Sequence, residues 1–203
     1  MIVIIDYGMG NLRSVLKVFT RLGISAIISS DPNKIQSAEK LILPGVGYFR
    51  NGMEKLIEMD LIKILERKVL IDKTPILGIC LGMQLFSKHS EEGNVDGLGW
   101  LDSKVVRFET NDSSRWKIPH MGWNTINMIK DSLIITNDII KSSFYFVHSY
   151  YVKCNNRSDI LSTTEYNIEF VSAIENGNIF GTQFHPEKSH KQGVLILKNF
   201  ASL

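Results

Sequence analysis

Residues 78–82 read Gly78-Ile79-Cys80-Leu81-Gly82. The run Thr74-Pro75-Ile76-Leu77 before them is short and apolar, as a buried strand requires, and Met83-Gln84-Leu85-Phe86 after them reads as the first turns of a helix. A small residue on each side of a central nucleophile, between strand and helix, is the nucleophile-elbow pattern. Its physical need is a sharp, strained turn that pushes the central side chain clear of the backbone. Glycines are required where strand and helix approach too closely for a Cβ. Cys80 then stands at a helix N-terminus, whose N–H groups and dipole favour the thiolate. The alternative is a buried structural cysteine, a common fate of free thiols.

The chain before the elbow alternates strand and helix. Ile2 to Ile5 is a buried strand, followed by the loop Asp6-Tyr7-Gly8-Met9-Gly10-Asn11. Leu12, Val15, Leu16, Phe19 and Leu22 fall at helical spacing, and Gly23 ends that helix. Ile24 to Ser29 is a second strand, and Asp31-Pro32 opens a turn or helix. Lys40 to Leu43 is a third strand, running into Pro44-Gly45-Val46-Gly47; Met53, Leu56 and Ile57 mark one helix, and Leu61, Ile64, Leu65 and Lys68 another. Ile76 to Ile79 is the fourth strand. This alternation predicts a parallel sheet with helices on both faces, and sites beyond the carboxyl ends of its strands. Asn11, Gly45 to Gly47 and Cys80 all lie there.

Beyond the elbow strands predominate: Lys104–Phe108, Trp123–Ile126, Ser143–Val147, Tyr150–Lys153, Phe170–Glu175 and Ile179–Phe184. Asn176-Gly177 between the last two predicts a hairpin with a type I′ turn. Gln192 to Phe200 reads as a closing helix. No linker interrupts the pattern, so the expectation is one α/β domain over residues 1–203: a mostly parallel central sheet flanked by helices, with an antiparallel strand extension.

Composition narrows the function. The 203 residues are 44% hydrophobic and 22% charged, with a net charge of +2, ordinary for a soluble globular chain. No Lys/Arg-rich run suggests nucleic acid, and no stretch is long and apolar enough for a membrane span. Two cysteines, Cys80 and Cys154, make no disulfide framework, which together with the missing signal-peptide pattern predicts a cytoplasmic protein. There is no internal repeat. The scattered histidines and Cys154 give no metal-ligand spacing, so neither metal nor cofactor is expected.

A thiol nucleophile needs a base, and the base an orienting group. His185 lies at a predicted strand end, is biased to extended backbone by Pro186, and has Glu187 two residues on to hold its tautomer. A structural histidine near a turn fits the triplet equally well. His89 and His190 have polar neighbours and read as solvated, whereas His120 and His148 read as satisfied core or interface residues. Acyl transfer also needs an oxyanion hole. The Leu81 N–H, next to the nucleophile, is one donor. The glycine-flanked Val46 N–H, after a neighbouring strand, is the second, unless Pro44–Gly47 is a plain strand-to-helix turn.

These residues resemble the class I, or triad-type, glutamine amidotransferases. Asp6-Tyr7-Gly8-Met9-Gly10-Asn11-Leu12, Pro44-Gly45-Val46-Gly47, Gly78 to Gln84, Pro119-His120-Met121-Gly122-Trp123-Asn124, Tyr145-Phe146-Val147-His148-Ser149-Tyr150 and Gln183-Phe184-His185-Pro186-Glu187-Lys188-Ser189 together are similar to the branch serving as glutaminase subunits of imidazole glycerol phosphate synthases. The resemblance spans essentially the whole chain. It implies that Cys80 attacks the side-chain amide of L-glutamine, that His185 shuttles the proton and that Glu187 orients it. Gly47, Gln84, Glu92 and Ser149 match glutamine-binding positions, with Glu92 facing the α-ammonium group. Ammonia then passes to a (β/α)8-barrel cyclase subunit of a heterodimer in histidine biosynthesis. Asn11, Trp123, Tyr145 and Lys188 match positions near that interface, although core packing explains the two aromatics as well.

Other readings have the same motifs or the same fold. A paralogue feeding ammonia to another synthase, for example in surface-sugar amidation, would carry identical catalytic residues. A non-catalytic module on this fold would not need Cys80, His185 and Glu187 intact. A cysteine peptidase would not need a pocket with Gln84 and Glu92.

Overall fold

The computed structural model describes every residue except 111, 113, 137, 138, 140 and 141. Its elements run β1 (Ile2–Ile5), α1 (Leu12–Leu22), β2 (Ala26–Ser29), α2 (Pro32–Gln36), β3 (Lys40–Gly45), α3 (Phe49–Glu58), α4 (Ile62–Glu66), β4 (Ile76–Cys80) and α5 (Leu81–Gln84). The second half follows with β5 (His89–Ser90), β6 (Val95–Asp96), β7 (Ser103–Arg107), β8 (His120–Thr125), β9 (Asn127–Met128), β10 (Ser143–His148), β11 (Tyr150–Cys154), β12 (Ile160–Tyr166), β13 (Ile168–Asn176), β14 (Ile179–Thr182) and α6 (His190–Ser202). Among the described residues no helix is long and apolar enough to cross a membrane.

The parallel block β2-β1-β3-β4-β14 carries the elbow, and the sheet continues antiparallel through β13, β11 and β7. Continuously apolar strands such as Ile2–Ile5 and Ile76–Cys80 are buried throughout, as a sheet covered on both faces demands. One face packs on α1 and α6 through Val15, Phe19, Leu197 and Phe200; the other packs on α3 and α4 through Phe49, Leu56 and Leu65. The hairpin of β8 and β10 forms a separate two-stranded sheet, buried on one side by Phe144 and Phe146.

The structure departs from the sequence reading at four points. The elbow helix α5 is one turn, Leu81–Gln84, so its dipole is small. Ile57 points outward from α3 and is 62% exposed, because Phe49, Met53 and Leu56 form the buried face. The β13–β14 hairpin pairs Asn176 with Ile179, so its central residues are Gly177 and Asn178. Of these only Gly177 has positive φ (57°), the pattern of a II′ turn. The Asn178 side chain instead donates to the Val69 and Thr74 carbonyls, tying the turn to the preceding loop.

The strand β12 is the fourth difference. Its Ser162-Thr163-Thr164 centre looks polar in sequence yet is buried. Each hydroxyl has a partner: Ser162 with Ser172 (2.9 Å), Thr163 with Glu169 (2.8 Å) and Thr164 with the Thr125 carbonyl (2.9 Å). Buried hydroxyls paired in this way lose the penalty that normally keeps them at the surface.

Candidate active site

Cys80 ends β4 with φ 55° and ψ −109°, a backbone conformation that costs a side-chain-bearing residue about 1–3 kcal/mol. Neighbouring packing enforces it. Register aligns Gly45 of β3 with Cys80 of β4. A Cβ on Gly45 would lie 2.7 Å from the Tyr7 hydroxyl and 2.8 Å from both the Gly82 nitrogen and Leu81 Cβ. Only glycine lets the end of β3 rest against the elbow.

His185 follows β14, the parallel neighbour of β4, and its backbone N–H donates to the Tyr145 carbonyl at 2.9 Å. Its ring is buried, and Nδ1 lies 2.9 Å from Glu187 Oε1. Nε2 has no hydrogen bond of ordinary geometry and lies by the Cys80 thiol. Burial alone would lower the imidazole pKa. The charge of Cys80, then the hydrogen bond and charge of Glu187, outweigh it and hold the value at about 10. The imidazole therefore stands protonated between Cys80 and Glu187, where a thiol nucleophile needs its proton-transfer partner.

The two residues expected to supply oxyanion donors stand at the ends of β3 and β4, which pair in parallel. Leu81 is the first residue of α5, so its N–H has no acceptor within the helix. Val46 directly follows β3, and Gly47 beyond it has φ 113°, open only to glycine. The end of β10 passes close by, with the Val147 carbonyl 4.0 Å from Cys80 Sγ and Ser149 next in the loop to β11.

Glu92 reaches this loop from the chain after β5. Its Oε2 accepts the Phe49 N–H at 2.9 Å, at the first turn of α3 and two residues from Gly47. Partial burial raises its carboxyl pKa, against the lowering effect of that hydrogen bond. A carboxylate so placed gains from an incoming ammonium. Gln84 is buried on α5, and its Nε2 donates to the Tyr150 carbonyl and to Gln183 Oε1, both at 3.0 Å.

Three of the four residues matched to an interface come together. Trp123 on β8 packs edge-on against Tyr145 on β10 (ring centroids 6.0 Å apart), and Lys188 Nζ lies 5.7 Å above the Tyr145 ring. Trp123 is 48% and neighbouring Met121 65% exposed, so core packing does not account for this cluster. Asn11, the fourth, is at the start of α1, where its side chain makes no capping hydrogen bond. His190, read as solvated, is exposed but stacks on Trp123 at 4.7 Å. His89 pairs with Asp96 at the surface. His120 and His148 are buried and joined to each other at 3.1 Å.

Two residues escaped the sequence reading. Gln183 donates from Nε2 to Cys80 Sγ at 3.6 Å. Its signal was its place two residues before His185 on extended chain, which turns both side chains to one face. Tyr7 is fully buried against Gly45, its hydroxyl without a partner among the described residues and its pKa raised by burial and then by the charge of Cys80.

Known proteins resemble this chain in sequence and fold. The profile of the family described as "Glutamine amidotransferase class-I" matches residues 3–202. The chain is 53% identical to the imidazole glycerol phosphate synthase subunit HisH 2 of Methanococcus maripaludis, covering 98% of both chains. It is 47% identical to the subunit HisH 2 of Pseudomonas aeruginosa and 43% identical to the subunit HisH of Leptospira interrogans, each over 100% of both chains. Among solved structures, one titled as a glutamine amidotransferase superposes with a TM-score of 0.75 at 16% identity, covering 99% of each chain. With a family match over residues 3–202 and relatives about half identical over nearly its full length, the chain belongs to the class I glutamine amidotransferases.

Proposed function

We propose that this chain is the glutaminase subunit of an imidazole glycerol phosphate synthase. The observation that carries the reading is the buried Cys80–His185–Glu187 constellation on a chain 43–53% identical to relatives bearing that subunit's name. The Cys80 thiolate attacks the carboxamide carbon of glutamine. The developing oxyanion is met by the Leu81 and Val46 N–H groups, while Glu92 binds the α-ammonium beside Gly47, and Gln84 and Ser149 line the pocket. His185 Nε2 gives its proton to the departing amide nitrogen, which leaves as ammonia, and a thioester remains. Neutral His185 then takes a proton from water as the oxygen attacks the thioester, expelling thiolate and releasing glutamate. Glu187 holds the imidazole through Nδ1 in both steps.

The ammonia goes to a (β/α)8-barrel cyclase subunit, docked on the face of Trp123, Tyr145 and Lys188 with Asn11 at its margin. There it completes imidazole glycerol phosphate in histidine biosynthesis. A reducing cytoplasm suits the free thiol. The test is glutamate release by the purified chain with the cyclase and its nucleotide substrate. Cyclase turnover lost in Cys80→Ser but restored by ammonium salt is the expected result; loss of the ammonium-driven reaction as well would refute the division of labour.

A second reading, the same chemistry serving a different synthase such as a surface-sugar amidation enzyme, would carry the same Cys80, His185 and Glu187. Growth of a histidine auxotroph lacking its own glutaminase subunit, when supplied with this gene, decides for the histidine pathway.

A further inference from the structure

The elbow helix is a single turn, so the field at its N-terminus is a weak support for an anion on Cys80. Besides His185, the side chain that reaches the sulfur is Gln183. It is fully buried, and its Nε2 lies 3.6 Å from Cys80 Sγ. We propose that Gln183 is a further catalytic residue of this glutaminase, its amide N–H holding the sulfur as the attacking anion.

An amide can present either its NH2 or its oxygen, so the argument turns on what fixes its orientation. The anchor is the Tyr150 carbonyl, which can only accept. It takes one hydrogen bond from Gln84 Nε2 at 3.0 Å and one from His148 Nδ1 at 2.8 Å. Gln84 must therefore turn its NH2 to this carbonyl, and the same NH2 donates to Gln183 Oε1 at 3.0 Å. With its oxygen occupied, Gln183 has only its N–H groups to offer the sulfur. A flipped Gln183 would set NH2 against NH2 and oxygen against thiolate.

The other arm holds the anchor in place. With Nδ1 donating, His148 Nε2 accepts from His120 Nδ1 at 3.1 Å, and His120 Nε2 accepts from the Asn124 amide at 3.4 Å. Every group in the chain then has a defined role, and both imidazoles are neutral. Burial keeps both pKa values below the usual imidazole range, and the adjacent His120 lowers that of His148 further. His120 and His148 are thus positioning residues: they fix the carbonyl that fixes Gln84, which fixes Gln183.

The inference rests on Cys80 being the nucleophile of the proposed glutaminase. Its test is the rate of iodoacetamide alkylation of Cys80 as a function of pH, followed by peptide mapping so that Cys154 is scored separately. Gln183→Met keeps the length and removes the donor. Alkylation at pH 7 should slow by roughly tenfold, with the profile displaced to higher pH by about one unit. In the complex with cyclase, kcat should fall by a similar factor while KM stays within about twofold. Gln183→Asn, which keeps the amide but shortens it by one methylene, should displace the profile in the same direction and serves if the methionine variant does not fold. His120→Phe should give a smaller displacement, and His120→Asn, which keeps a donor toward His148, should restore most of it. Variants with the wild-type alkylation profile, or with losses that only follow their melting temperatures, would overturn the role of Gln183 and leave the glutaminase reading standing. A wild-type Cys80 inert to the reagent across neutral pH would overturn both.

Discussion

Gly82 stands so close to Leu43 that a Cβ on it would lie 1.7 Å from the Leu43 carbonyl oxygen. The contact locks the elbow against the strand leading to Val46, so Cys80 and Val46 share one packed seam. Replacing Gly82 with Ala forces that seam apart. The expected cost is at least about 3 kcal/mol in unfolding free energy, with glutaminase activity lost even at temperatures where the chain stays folded. Denaturant unfolding of the purified variant measures the first, and glutamate release the second.

The raised His185 pKa depends foremost, among the favourable influences, on the charge of Cys80. In Cys80→Ser that charge is gone, because a hydroxyl does not ionise near neutrality. The His185 imidazole should then titrate well below its present value of about 10, which NMR of the ring protons reports directly. Glutamine hydrolysis should fall by more than about a thousandfold in the same variant. An unchanged His185 titration would show that the sulfur charge is not what holds the proton.

Burial holds the pKa of His120 at about 4, and burial with the adjacent His120 holds that of His148 at about 3. Unfolded, both titrate near the ordinary value of 6.5. Below that pH the unfolded chain binds more protons, so the stability contributed by the neutral pair is complete above pH 6.5 and is lost as pH falls toward the folded values. The loss between pH 7 and pH 4 should be on the order of several kcal/mol for the pair. Unfolding curves over this range should be less steeply pH-dependent in His120→Phe than in the wild type; equal slopes would contradict it.

Glu92 is partly buried, its carboxyl pKa is raised, and its one hydrogen bond from the described residues comes from the Phe49 N–H. An ammonium group of the substrate is its natural counterpart. Glu92→Gln keeps the hydrogen bond and removes the charge, so KM for glutamine should rise by about 10- to 100-fold with much less change in kcat. Steady-state kinetics of the complex with cyclase separates the two. A fall in kcat at constant KM would place Glu92 elsewhere in the cycle.

Trp123 leans on Tyr145 and His190 while remaining half exposed. Trp123→Ala should leave the folded chain intact and weaken cyclase binding by more than about 1 kcal/mol, as loss of an aromatic interface anchor does. Titration calorimetry against the cyclase is the direct measurement, and unchanged affinity would remove Trp123 from the docking face.

The parallel half of the fold was legible because Ile2–Ile5 and Ile76–Cys80 are uniformly apolar and the helices between them keep a clear 3.6-residue period. The strand Ile160–Tyr166 was not, since its buried Ser and Thr hydroxyls find partners only in other elements. Cys80, His185 and Glu187 could be picked out because the elbow and His-Pro-Glu are local patterns. The role of Gln183 was hidden, for nothing local says that a glutamine's amide will be oriented by another glutamine on a different element. Tyr7 was quoted within a loop motif, but its burial against Gly45 depends on how β3 meets the elbow.

The pairing of β4 with β14 also sets an order of events during synthesis. Ile76 and Ile79 find their partners Ile179 and Thr182 about 100 residues later, a contact of high sequence separation and slow closure. The sulfur of Cys80 can emerge from the ribosome long before His185 exists. A nascent or truncated chain ending short of His185 therefore carries Cys80 without its imidazole neighbour, and the two meet only once the last strand has closed the parallel block.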